Sequence, residues 1–124
     1  MKYFYSDYWT LRARELAREL GFTHIMLDRI SVIESKGSKA RRTIARIHSL
    51  GKVMQFGMQQ DSFYTIELIS EHFHKQSEEE KIKTMIHELM HIPKSFGGGF
   101  RHHKNHVTHE NIKKAFKQLQ KEGK

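Results

Sequence analysis

SEEEKIKTMIHELMHI, residues 77–92, carries the marks of a helix from its first residue. Ser77 is a preferred N-cap, and Glu80, three residues on, completes a capping box. Glu78, Glu79 and Glu80 lie in the first turn, where the helix dipole favours negative charge. Ile82, Ile86 and Leu89 recur at helical spacing with Met85 beside them, which predicts one buried face. Pro93, the single proline of the chain, disfavours helical backbone in the residue before it, so the helix should end near Ile92.

Within that helix stands HELMH, residues 87–91. Positions four apart share a helix face, so His87 and His91 present two imidazoles to one point in space, away from the apolar stripe. Neutral imidazoles are good zinc ligands. Glu88 is adjacent in sequence, so its carboxylate sits beside such a metal without being forced to ligate it. That is the position of a general base for a zinc-activated water, which would attack a carbonyl while Glu88 takes its proton and passes it to the leaving amine.

A catalytic zinc takes three protein ligands and keeps one position open. The extended pattern HExxHxxGxxH fails here, because Lys94 and Gly97 stand where its glycine and third histidine would be. Glu110 lies 19 residues after His91, a spacing similar to that of thermolysin-like enzymes. The other candidates are His102, His103, His106 and His109. The glycines at 97–99 would let the chain turn back and deliver one of them, and spacing alone leaves the choice open.

Working outward, residues 7–20 read as a helix with Trp9, Ala13, Leu16 and Leu20 on one face, stopped by Gly21. HIMLDRISVIES, residues 24–35, reads as a strand rich in β-branched residues. Residues 36–52 hold six lysines and arginines and no acid; Ile44, Ile47 and Leu50 would form the apolar side of an otherwise exposed helix. KVMQFGM (52–58) and FYTIELI (63–69) read as two strands of a hairpin joined through QQDS. A last helix is expected from Thr108 as N-cap, with Ile112, Ala115, Phe116 and Leu119 as its buried stripe. No linker, repeat or low-complexity block divides the chain, so 1–124 is expected to be a single α+β domain: a small mixed or antiparallel sheet packed against an N-terminal helix and the HELMH helix, with a C-terminal helix.

The formal net charge is +8, from 22 Lys+Arg against 14 Asp+Glu, and there is no cysteine. A thiolate site and a disulfide framework are therefore excluded, and any metal must be held by His, Asp or Glu. The positive charge favours anionic partners, and Lys39, Arg41, Arg42 and Arg46 are the candidate nucleic-acid contacts. The charged N-terminus lacks the apolar core of a signal peptide, and no apolar run is long enough to span a membrane, so a cytoplasmic protein is expected.

TIARIHSLGK, YTIELISEHF and SEEEKIKTMIHELMHIPKSFGGGFRHHKNHVT together resemble the small metallopeptidases of archaea and their viruses. These are similar in turn to the catalytic cores of SprT-like and WLM zinc peptidases and to the minigluzincins. The resemblance covers roughly residues 10–119 and is most specific from HELMH to the lysine after the second histidine of FRHHK. It implies a zincin-like fold and Zn2+ held by His87, His91 and His103, with Glu88 as base. It also implies a protein or peptide substrate added to an edge strand, expected to be FYTIELI. The minigluzincin likeness favours Glu110 instead as third ligand. In the peptidase reading, His102 or His106 would help hold the developing oxyanion. Two alternatives are a metal-dependent nuclease and a nucleic-acid-binding module with a closed, structural zinc. Latency is left open, with His109, the C-terminal helix or a neighbour's histidine as the group that would fill the site. The oligomeric state is left open.

Overall fold

The computed structural model describes residues 1–122. Its elements run β1 (Lys2–Tyr5), α1 (Asp7–Glu19), a 3-10 turn (Leu27–Arg29), β2 (Ile30–Lys36), β3 (Ala45–Ser49), α2 (Lys52–Met58), β4 (Tyr64–Ile69), α3 (Ser70–Phe73), α4 (Glu78–Met90) and α5 (His109–Glu122). The four strands form one mixed sheet in the order β1-β2-β4-β3. β2 and β4 pair in parallel, while β1 on β2 and β3 on β4 pair antiparallel. The protein is thus α+β, as expected.

One face of the sheet carries the core. Ile30 and Val32 of β2 and Tyr64, Ile66 and Leu68 of β4 pack against Trp9, Ala13, Leu16 and Ala17 of α1 and Met85 and Leu89 of α4. Each Ile, Val, Leu or Met side chain among them contributes ~1.5–3 kcal/mol by leaving water. Trp9 meets Phe73 edge-to-face at 5.2 Å between ring centres. A second cluster of Leu20, Ile86 and Ala115, with Ile112, Phe116 and Leu119 around it, joins α5 to α4.

The helix ends are chemically determined. Ser77 Oγ accepts from the Glu80 N–H (3.2 Å) while the Glu80 carboxylate accepts from the Ser77 N–H (2.9 Å), so the expected capping box is present. α4 stops at Met90 with His91 as C-cap, two residues before Pro93 would forbid more. α1 ends where Gly21 adopts φ 71°, and the Gly21 and Phe22 N–H groups return to the carbonyls of Arg18 and Ala17. Thr108 caps α5 through the Asn111 N–H at 3.1 Å.

Several sequence expectations are corrected. Residues 52–58 are helix α2, because β4 already has β2 on one side and β3 on the other, leaving no place for a hairpin partner. Lys, Met and Gln are also good helix formers. The basic stretch contains strand β3 rather than a helix; Ile47 lies opposite Ile66, so its burial comes from sheet pairing. Residues 24–29 form turns, and β2 begins only at Ile30. FYTIELI is a central strand, and the edge beside α4 is β3. β1 was not expected at all, since its four residues are all exposed and show no buried face.

On the face opposite the core, Glu67 of β4 is only 3% exposed. Arg46 donates to it at 2.9 and 3.3 Å, and His48 Nε2 lies 2.8 Å away. Burial alone would raise the Glu67 pKa, but the hydrogen bonds and the Arg46 charge prevail and hold it at about 2, below the ordinary 4.5. A depressed carboxylate contributes stability above its unfolded pKa and loses it as pH falls toward the folded one. The stability advantage of the wild type over Glu67→Gln in urea unfolding should therefore shrink between pH 4.5 and about 2. An advantage unchanged across that window would contradict the assignment.

Candidate metal centre

His87 and His91 project from the last turn of α4 and its C-cap, one above the other, with ring centres 5.1 Å apart. The chain then leaves the helix, turns through Gly97–Gly99 and returns. Its return is fixed at His91: the Arg101 N–H donates to the His91 carbonyl at 2.7 Å, and His91 Nδ1 lies 2.9 Å from the Arg101 carbonyl. A carbonyl only accepts, so Nδ1 of His91 carries the proton and Nε2 keeps its lone pair. Two residues on, His103 reaches the same point. One ring nitrogen each from His87, His91 and His103 lies within 4.8 Å of the others, and the Nε2 atoms of His87 and His103 are 3.3 Å apart.

The glycine turn is anchored from below by the sheet. Tyr64 is fully buried, its hydroxyl donating to the Gly99 carbonyl and accepting from the Gly98 N–H, both at 2.8 Å. Ser49 at the end of β3 donates to the Gly98 carbonyl at 2.6 Å, and Gln55 of α2 donates to the Gly97 carbonyl at 2.9 Å. Gly98 adopts φ 102°, and a Cβ there would come within 2.8 Å of the Leu50 carbonyl and the Gln55 amide. Only glycine fits both the backbone and the space.

The electrostatics suit neutral imidazoles. Burial, then the neighbouring His91 and His103, pushes the His87 pKa down to about 4. Burial, then His103, lowers that of His91, against the opposing bond to Arg101. Glu88 is 6% exposed, and its carboxylate has no hydrogen-bond or ion-pair partner among the described residues. Burial alone raises it to about 7. All four residues line one open cleft of about 440 Å³, together with Ala45 and Ile47 of β3 and with Phe100, Arg101 and His102.

The remaining sequence candidates are dispersed. His102 lines that cleft. His106 lines a different cavity, and Glu110, exposed on the first turn of α5, is outside the histidine cluster. His109 lines a neighbouring hollow with Arg42, His87 and Glu88, but is not one of the three clustered histidines. Lys39, Arg41 and Arg42 are exposed, whereas Arg46 is engaged with Glu67. The supporting groups that sequence reasoning missed are the Arg101 carbonyl, the Tyr64 hydroxyl and Gln55. The first is a backbone atom with no sequence signature, and the other two act only through the fold. Among the described residues, no helix is long and apolar enough to cross a membrane.

Replacing Gly98 by alanine should cost ~1–3 kcal/mol in unfolding experiments, through backbone strain and the displaced Leu50–Gln55 contacts. An alanine variant as stable as the wild type would show that the turn does not constrain the chain as described.

A family model described as "Putative phage metallopeptidase" matches residues 1–121. No curated protein and no solved structure matches the chain. Since the match takes in both helix α4 with its histidines and the returning loop, the chain belongs to this phage metallopeptidase family.

Proposed function

We propose that the protein is a zinc-dependent endopeptidase in which His87, His91 and His103 hold the metal and Glu88 is the general base. The family supports metal-dependent peptidase chemistry. The observation that carries the finer reading is the convergence of three ring nitrogens within 4.8 Å beside a buried carboxylate. The donor set fits zinc: three imidazoles, one with its tautomer fixed by the Arg101 carbonyl, and no thiolate. When bound, zinc supplies a Lewis acid for a scissile carbonyl and acidifies water.

The protein's own groups would do the rest. Glu88, buried and unpaired, takes a proton from the attacking water as the new C–O bond forms, and returns it to the amine as the C–N bond breaks. His102, which lines the cleft, would help hold the developing oxyanion, whereas His106 lines a different cavity. β3 offers the peptide-binding edge. The Leu50 N–H bonds the Phe63 carbonyl and the Ile69 N–H bonds the Ile44 carbonyl, which sets the phase of the antiparallel ladder. The backbone groups of Ala45, Ile47 and Ser49 therefore face away from β4. An extended peptide added there by β-augmentation would run past Glu88. This arrangement of edge strand over a histidine helix is what makes the fold zincin-like in our reading.

The test combines metal content with activity. His87→Ala, His91→Ala and His103→Ala should each lose zinc on dialysis, whereas Glu110→Ala and His106→Ala should retain it. Glu88→Gln should keep zinc yet lose ~10²-fold or more of the cleavage of unstructured casein. RNA degradation that Glu88→Gln abolishes, with casein left intact, would replace this reading with a nuclease.

A further inference from the structure

Behind the C-terminal end of α4, on the side away from the histidine cleft, lies a second and more enclosed cavity of about 580 Å³. That volume is in the range of small-molecule sites, which run from roughly 300 to 1,000 Å³. Its apolar wall is Phe22, Leu89 and Met90, with Leu89 fully buried. Lys94 and Arg101 bring two cations to it, beside two histidines and the neutral Thr23, Asn105 and Asn111, and no aspartate or glutamate lines it.

These charges are not spoken for. Neither the Lys94 nor the Arg101 side chain has a carboxylate or hydrogen-bonding partner among the described residues. His24 Nε2 donates to the Ile92 carbonyl at 3.1 Å, which fixes its ring in the wall. Burial lowers the His24 pKa, against that bond, and the Arg101 and Lys94 charges lower it further. The two cations therefore act on the same space without a counter-charge. Arg101 is half-buried while Lys94 is exposed, and an anion that joined both beside the apolar wall would make charge-assisted hydrogen bonds, which strengthen as water is excluded.

We propose that this cavity binds a small organic anion, a carboxylate or phosphate ester bearing an apolar group. Lys94 and Arg101 take the charged head, and Phe22, Leu89 and Met90 take the apolar body. The site is distinct from the cleft of His87, His91 and His103, although it shares Arg101 with it. The Arg101 side chain lines the cavity while its carbonyl orients His91. A ligand there would steady the residue on which the loop returns.

Phenyl phosphate and inorganic phosphate, titrated calorimetrically into the full chain prepared without added metal, test this directly. Phenyl phosphate should bind saturably at one site, and Lys94→Gln/Arg101→Gln should weaken it at least ~10-fold, as expected for two charged contacts. His103→Ala, in the other cleft, and Lys39→Gln/Arg41→Gln, on the basic stretch, should leave it unchanged. Inorganic phosphate should bind more weakly, since it leaves the apolar wall empty. If circular dichroism shows the double variant misfolded, Lys94→Gln alone, with its exposed side chain, should still weaken binding severalfold. The proposal is overturned by absent saturable binding, by equal loss in the Lys39/Arg41 pair, by loss on His103→Ala, or by inorganic phosphate binding as tightly as phenyl phosphate.

Discussion

The reciprocal bonding of His91 and Arg101 is the constraint on which the site depends. One N–H···O=C bond of 2.7 Å joins their backbones, and a second of 2.9 Å runs from the His91 ring to the Arg101 carbonyl. Together they close the chain between them into a loop. They also settle which imidazole nitrogen is free, and they aim the following residues at α4. Without them, two histidines on a helix would have no third partner. With them, His103 arrives beside His87 although sixteen residues separate the two. Backbone bonds of this kind contribute only ~0.5–1.5 kcal/mol each to stability, so their importance here lies in placement.

The sheet makes that closure reproducible. Tyr64 of β4 stands in the core with its ring against Phe96, yet its hydroxyl holds both Gly98 and Gly99. A fully buried tyrosine needs a partner for its hydroxyl, and the turn supplies a donor and an acceptor. β3 and α2 add Ser49 and Gln55 to the same turn. The glycine turn is thus bonded to three elements of the framework, and α2, with little buried surface of its own, has a clear structural purpose there. β3 serves both the turn and the edge of the cleft.

Legibility in the sequence followed the strength of local signals. α4 was readable in full because its cap, its dipole-matched acids, its apolar stripe and its terminating proline all agree. α1 and α5 were readable for the same reason, through Gly21 and Thr108. Where signals were weak, tertiary context decided. KVMQFGM has no buried residue in the structure, so its apolar residues carried no information about a sheet. Ile44, Ile47 and Leu50 fit a helical spacing as well as a strand, and only pairing with β4 distinguishes them. Of the site, HELMH was visible from spacing. His103 rested on resemblance, because the loop closure that brings its ring beside His87 and His91 runs through backbone atoms. The ion pair of Arg46 was not legible for a comparable reason: its carboxylate partner, Glu67, is remote in sequence and meets it only across the β3–β4 ladder.

The most direct test of the central claim is zinc K-edge X-ray absorption on the zinc-loaded full chain, with His103→Ala alongside. Three imidazole nitrogens at ~2.0–2.1 Å and one further position open to a water oxygen are expected, with one imidazole lost in His103→Ala. A carboxylate in place of the third imidazole, or four imidazoles and no open position, would contradict it.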